Sequence, residues 1–279
     1  MTSQPVALVT GTSSGIGLWT AVKLAQRGVT VVATMRNPAR GDQLRSAATE
    51  SGVEVDIRAL DVTDHDAAAE CVAAVQADHG GIDILVNNAG RGSVATLEQL
   101  NTEALQEQLD VNYLGVAELT RLVLPGMRRA GSGRVVTVTS VGGVVGQPFA
   151  DAYCAAKFAV EGLMQSLAPV MARFGVGISV VEPAAVASDF VANTGAEERD
   201  TDPNDPYAAL LAAYLRRART SFAAAQHPRD AAETVVEAAL STEPKFRWQT
   251  SDSAHAFAGL SLTDLDGARV LVQTNTWLD

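Results

Sequence analysis

Residues 6–27 read VALVTGTSSGIGLWTAVKLAQR. Val6 to Thr10 is a short apolar run of the kind buried on both faces in a parallel sheet. Gly11 to Gly17 follows directly. A helix is then predicted to about Arg27, with Leu18, Ala21, Val22 and Ala25 as its i, i+3, i+4, i+7 apolar stripe. Glycines at a strand-to-helix turn let the backbone come close to a ligand. The helix N-terminus behind them offers unpaired N–H groups and a favourable dipole to a pyrophosphate. The spacing is G-x-x-x-G-x-G rather than the commoner G-x-G-x-x-G. Gly11, Ser13, Ser14, Gly15, Ile16 and Gly17 are therefore the first candidate dinucleotide contacts; the plainer alternative is a tight turn with no ligand.

Outward from this stretch, strands and helices alternate. A second strand, Val29 to Thr34, ends in Met35-Arg36-Asn37-Pro38. An NAD-specific site usually places an acid here to accept from the adenosine ribose. This chain has Arg36, suited to a 2′-phosphate with help from Ser14, so NADP(H) is favoured and NAD(H) remains possible. A helix over Ala39 to Ser51 stops at Gly52, and a third strand, Val53 to Leu60, delivers Asp61-Val62 toward an adenine edge. Thr63 reads as the N-cap of a helix that buries Ala68, Val72 and Val75. The fourth strand, Ile82 to Asn87, opens onto Asn88-Ala89-Gly90, at the end of a parallel sheet where ligands bind. A long helical stretch, Thr102 to Ala130, contains Asn112 and is expected to end or kink at Pro125.

Strand five, Arg134 to Thr139, leads to Ser140. A helix runs to about Phe174 with a kink near Pro169, and strand six, Gly177 to Glu182, opens onto Pro183-Ala184-Ala185-Val186-Ala187-Ser188. The polar stretch Asn193 to Pro206 suggests a mobile loop at the rim of a site. Helical patterns cover Tyr207 to Ala225 and Asp230 to Leu240, and Phe246 to Thr250 forms a seventh strand. The pattern predicts a single α/β domain over residues 1–279. It is a Rossmann fold with a doubly wound parallel sheet of about seven strands and helices on both faces. Residues at about 184–226 serve as a substrate lid.

With 47% hydrophobic and 19% charged residues, the chain can build a sizeable core and is not disordered. A net charge of −11 without a long basic cluster speaks against nucleic acid as partner. No apolar run approaches a membrane span. Cys71 and Cys154 make no disulfide framework, which suits a reducing, cytoplasmic setting. His65, His79, His227 and His255 lack metal-ligand spacing, so no metal is expected.

A second informative stretch, residues 140–157, reads SVGGVVGQPFADAYCAAK. Tyr153 and Lys157, four apart, stand side by side on one helix face. An ammonium beside a phenol favours the phenolate, so Lys157 is expected to lower the Tyr153 pKa from its usual value of about 10.

These motifs together resemble the short-chain dehydrogenase/reductase family, and the likeness covers nearly the whole chain. They are TGTSSGIG (residues 10–17), Asp61-Val62, NNAG (87–90), Asn112, Ser140 and YCAAK (153–157). In wording they are nearest the branch that contains 17β-hydroxysteroid and retinol dehydrogenases. The resemblance implies a catalytic tetrad of Asn112, Ser140, Tyr153 and Lys157. Tyr153 exchanges a proton with the carbonyl or alcohol oxygen, and Ser140 hydrogen-bonds the same oxygen. Lys157 holds the nicotinamide ribose and depresses the tyrosine pKa. Asn112, at a local break in its helix, positions a relay water. Asp61, Val62, Asn88, Ala89, Gly90, Tyr153, Lys157, Pro183, Val186 and Ser188 join the cofactor contacts.

The family usually has Pro-Gly after strand six, then Thr. This chain has Pro183-Ala184 and Ser188, and alanine tolerates positive φ poorly. Val141, Val144, Val145, Phe149 and Phe190 are the candidate substrate wall and suggest an apolar carbonyl or alcohol. The expected function is NADP(H)-dependent interconversion of a ketone or aldehyde and an alcohol, by a homodimer or homotetramer. An epimerase or dehydratase that retains its cofactor, and a non-catalytic dinucleotide-binding regulator, are the alternatives.

Overall fold

The computed structural model describes residues 4–187, 205–263, 265, 266 and 268. In chain order the elements begin with β1 (Val6–Thr10), α1 (Gly15–Gln26), β2 (Thr30–Met35), α2 (Asp42–Glu50), β3 (Asp56–Ala59) and α3 (His65–His79). The middle of the chain forms β4 (Ile84–Asn87), α4 (Thr102–Leu109), α5 (Gly115–Ala130), β5 (Gly133–Val138) and α6 (Asp151–Ala172). Then come β6 (Val176–Glu182), α7 (Ala208–Ala223), α8 (Pro228–Leu240), β7 (Arg247–Gln249) and α9 (Asp252–Gly259).

The seven strands make one sheet in the order β3-β2-β1-β4-β5-β6-β7, and every adjacent pair is parallel. All five residues of β1 are buried, and successive ones point to opposite faces. Val6 and Leu8 pack with Val72, Leu119 and Val160 from α3, α5 and α6. Ala7 and Val9 pack with Leu18, Val22, Val235 and Val236 from α1 and α8. Each such aliphatic side chain contributes roughly 1.5–3 kcal/mol by leaving water. Both faces of the sheet are thus covered, which is why its strands carry runs of valine rather than an alternating pattern. β1 lies between β2 and β4, so the order of the strands reverses there. At such a reversal a ligand crevice lies along the carboxyl edge of the sheet.

The local differences from expectation have identifiable causes. Asp64, not Thr63, caps α3: its side chain accepts from the Ala67 N–H, while the Thr63 hydroxyl bonds Asp61. The long helix does not stop at Pro125, which lies inside α5; that helix ends at Gly131, whose φ is 67°. The interruption falls in a π-helical turn over Asp110–Leu114, the local break at Asn112 that the family resemblance implied. α6 continues past Pro169 to Ala172, close to its expected end near Phe174. β3 is shorter than the apolar run suggested, and α9 follows β7 where no helix was expected. No helix among the described residues is long and apolar enough to cross a membrane.

Candidate active site

The crevice is closed at its base by contact between the loops after β1 and β4. The Asn88 side-chain amide donates to the carbonyls of Thr10 and Gly11, both at 2.9 Å. The Thr10 hydroxyl accepts from the backbone N–H groups of Asn88 and Ala89, both at 3.0 Å. Two glycines permit this approach. A Cβ on Gly11, whose φ is 69°, would lie 2.8 Å from the Ala89 Cα, and one on Gly17 would lie 2.3 Å from both Asn88 Nδ2 and the Gly11 carbonyl oxygen. Ser14 is the N-cap of α1 but makes no side-chain cap bond, and the first turn carries no acid. The N-terminal amides of α1 therefore face a half-buried cradle of Ser13, Ser14, Gly15 and Ile16 with no competing carboxylate. A dinucleotide pyrophosphate fits that donor set.

Arg36, at the end of β2, is exposed and makes no ion pair or hydrogen bond among the described residues. Asp61 Oδ1 accepts from the Thr63 N–H and hydroxyl. The Val62 side chain packs under Gly115, where an added Cβ would come within 2.9 Å of the Val62 Cβ.

Asn112, Ser140, Tyr153 and Lys157 converge at the other end of the crevice. The π-helical turn leaves Asn112 fully buried and turned toward the loop after β4. Asn112 Oδ1 accepts from the Arg91 N–H at 3.1 Å, and Nδ2 donates to the Arg91 carbonyl at 2.8 Å and to Gln108 Oε1 at 3.0 Å. Both faces of the amide are thereby held. Ser140 caps a 3₁₀ turn over Val141–Gly143, its Oγ accepting from the Gly142 N–H at 2.9 Å and pairing with the Tyr153 hydroxyl. Lys157 Nζ donates to the Val138 carbonyl at 3.1 Å. A Cβ on Gly90 would lie 3.1 Å from Asn112 Oδ1 and 3.6 Å from Lys157 Nζ, so these two groups flank the same glycine.

One electrostatic expectation is not met. Burial pushes the Tyr153 pKa up to about 12, partly opposed by the bond to Ser140. The lysine reaches for the Val138 carbonyl, and its Nζ stands 5.9 Å from the centroid of the tyrosine ring. Burial pulls the Lys157 pKa down to about 8, an effect the Glu161 carboxylate opposes. Tyr153 is therefore a neutral phenol at physiological pH, the form that can give a proton.

Four groups around the tetrad escaped the sequence reading. Gln108 and Arg91 hold Asn112, Glu161 lies one helical turn beyond Lys157, and Arg247 meets Glu161 from β7. The i−4 and i+4 spacings of Gln108 and Glu161 were visible signals. Arg247, 86 residues from Glu161, gave none.

Of the candidate substrate wall, Val141, Val144 and Phe149 are buried and Val145 is half-buried. The Phe149 ring packs with Val94 and Leu211 and lies 5.5 Å from the Tyr214 ring of α7. Phe149 is the one non-glycine residue among the described residues with φ in the left-handed region, at 57°. Ala184 therefore has an ordinary backbone, and the strain expected from the missing family glycine does not arise. The Pro183 carbonyl accepts from the Val141 N–H at 3.0 Å, and Val186 is buried and bridged to Gln226. Ser188, Phe190 and residues 188–204 of the expected lid lie outside the described residues.

Residues 5–199 match the short chain dehydrogenase family. Retinol dehydrogenase 8 of Homo sapiens is 37% identical, over 97% of this chain and 89% of its own. The 17-beta-hydroxysteroid dehydrogenase type 1 of Mus musculus is 37% identical, over 94% of this chain and 78% of its own. Among solved structures, a short-chain dehydrogenase from Streptomyces avermitilis matches with a TM-score of 0.79 at 30% identity, covering 100% of this chain and 98% of that one. A metagenomic short-chain oxidoreductase in complex with NADP matches with a TM-score of 0.70 at 27% identity, over 88% of this chain and 96% of that one. One from Burkholderia phymatum in complex with NAD matches with a TM-score of 0.78 at 25% identity, over 92% of each chain. The chain belongs to the short-chain dehydrogenase family. It is an oxidoreductase of CH–OH groups that works with a nicotinamide dinucleotide.

Proposed function

We propose that this enzyme interconverts a ketone or aldehyde and an alcohol of apolar character, using NADP(H), with Tyr153 as acid and base. The observation that carries the proposal is the hydrogen-bonded Ser140–Tyr153 pair standing beside Lys157 and Asn112 at the open end of the glycine-lined crevice. A bound nicotinamide supplies or accepts the hydride. The protein residues supply the rest. Tyr153 holds a proton on its hydroxyl oxygen and passes it to the substrate oxygen as negative charge develops there. Ser140 donates a hydrogen bond to that oxygen from a position fixed by the Gly142 amide. Lys157 has three N–H groups; with one on Val138, the others serve the nicotinamide ribose. Asn112, held rigidly at the π-helical turn, orients a water that returns protons to the lysine.

Gly11 to Gly17 would cradle the pyrophosphate, and Arg36 with Ser14 the 2′-phosphate. Asp61 and Val62 would meet the adenine, and Asn88, Ala89 and Gly90 would line the ribose side. Pro183, Val186 and Ser188 would meet the carboxamide. Val141, Val144, Val145, Phe149 and Phe190 would face the substrate, beneath a lid formed from about residues 184–226 of a single domain. The relatives named for retinol and hydroxysteroid dehydrogenation favour a bulky apolar substrate.

The test is Tyr153→Phe. Turnover should fall by about 10²–10⁴, the usual contribution of a general acid, while NADPH affinity measured by fluorescence titration stays within about threefold. An enzyme that keeps most of its kcat refutes the assignment.

A further inference from the structure

Below the tetrad, on the side away from the crevice, lies a charge cluster that this reading of the reaction does not use. Glu161 Oε2 and Glu182 Oε1 both accept from Arg247 NH1, at 2.6 and 2.7 Å. Glu161 Oε1 lies 2.6 Å from the Thr139 hydroxyl, which also reaches the Val181 carbonyl at 3.1 Å. Gln249 Nε2 donates to Glu182 Oε2 at 2.8 Å. The exposures of Glu161, Glu182 and Arg247 are 4%, 0% and 6%, so water screens none of them. Two carboxylates with one guanidinium leave an excess negative charge, which a dry interior does not tolerate without a further cation or a proton. A further buried cation among the described residues is Lys157, 4% exposed, one helical turn from Glu161 on α6 and acted on by its charge.

The groups facing Glu161 are therefore Lys157 from α6, Glu182 from β6, Arg247 from β7 and the Thr139 hydroxyl beside Ser140. The loop after Ser140 brings no charge. It contributes Gly143, where an added Cβ would stand 2.9 Å from the Glu161 Cγ. Burial among these groups raises the carboxyl of Glu161 well above the ordinary range, with Arg247 opposing and Glu182 reinforcing the rise.

We propose that Glu161 is a positioning residue for the reaction: its carboxylate is the counter-charge that keeps Lys157 protonated and seated on the Val138 carbonyl, so the ionisation of Glu161 governs the charge state of the site. The inference rests on the tetrad reading above but concerns a residue that touches neither substrate nor cofactor. At low pH a protonated Glu161 gives a hydrogen bond to Thr139 and withdraws its support from the lysine. At higher pH the carboxylate restores it. Replacing Glu161 by a neutral isostere removes a negative charge one helical turn away, roughly 6 Å at i, i+4 spacing, which in a protein interior of effective dielectric near 20 lowers the Lys157 pKa by about one to two units.

The chain has three lysines, Lys23, Lys157 and Lys245, so ¹³Cε-lysine NMR of the cofactor-free protein gives three signals, and Lys157→Met assigns the buried one. In Glu161→Gln the Lys157 midpoint should move down from about 8 by about one unit or more. In Glu161→Asp, which retains the charge, most of that shift should disappear. The alkaline limb of kcat/KM should move down in step with the NMR midpoint. An unmoved Lys157 midpoint in Glu161→Gln overturns the proposal. Should Glu161→Gln fail to fold, the wild type decides: its Lys157 signal must show a second, smaller inflection as Glu161 ionises, and a single-step curve overturns the proposal. A Tyr153→Phe enzyme that still turned over would remove the proton-donor assignment and leave this titration untouched, so the two failures are distinguishable.

Discussion

Arg36 stands at the carboxyl end of β2 with no carboxylate to neutralise it among the described residues. A ribose 2′-hydroxyl seeks an acceptor at this point and a 2′-phosphate seeks a cation, so one side chain separates the two cofactors. Charge-assisted hydrogen bonds contribute about 1.5–3 kcal/mol. Arg36→Asp should therefore lower the ratio of kcat/KM for NADPH over NADH by about tenfold to a hundredfold. An unchanged ratio would remove Arg36 from the phosphate site. The same scale shows where residue-level reading failed. A lysine four residues from a tyrosine was expected to make it acidic, yet spacing does not say where a flexible ammonium points. The Val138 carbonyl captures Lys157, and burial raises the phenol instead.

α6 carries the chemistry in steps of one turn. Tyr153 faces Ser140, Lys157 faces Val138, and Glu161 faces Thr139 and Arg247. Its first two steps were legible because i, i+4 spacing is a local property. The third needed β7, brought alongside β6 by tertiary folding. The π-helical turn was legible only through the family resemblance: nothing in Asp110–Leu114 breaks a helix by composition, and Asn112 is held there by Arg91 and Gln108. Pro125 does not end its helix, which continues to Ala130, whereas α6 runs past Pro169 as expected. α6 exposes Phe158 and Val170, and Phe174 lies just past its end, each at least 40% exposed. Exposed apolar side chains on this helix and at its end are where contact with a second copy of the chain is expected. Light scattering at micromolar concentration should give a dimer or tetramer mass, and Phe158→Glu should shift it toward the monomer. A monomeric wild type would exclude this face as an interface.

At the scale of the molecule, the doubly wound parallel sheet was readable from the alternation of valine-rich runs with amphipathic stretches. The order of strands was less so, because hydrophobic pattern marks which residues are buried but not which strands are neighbours. The junction of β1 and β4 has a consequence for how the enzyme assembles. Its four hydrogen bonds, from Asn88 and Ala89 to Thr10 and Gly11, join residues 77 to 79 apart in sequence. No local segment can make them, so the cofactor crevice does not exist until the centre of the sheet has formed, a late event for a chain that must close long loops first. A ligand lodged there reports on the whole fold. NADPH at a hundredfold excess over its Kd should add about 2.7 kcal/mol to global stability and raise the thermal midpoint by several degrees in scanning calorimetry. A midpoint indifferent to saturating NADPH would mean that the crevice is not where the cofactor binds. The fold and the cofactor would then report on each other, and cellular NADPH supply would help set how long each newly made chain survives.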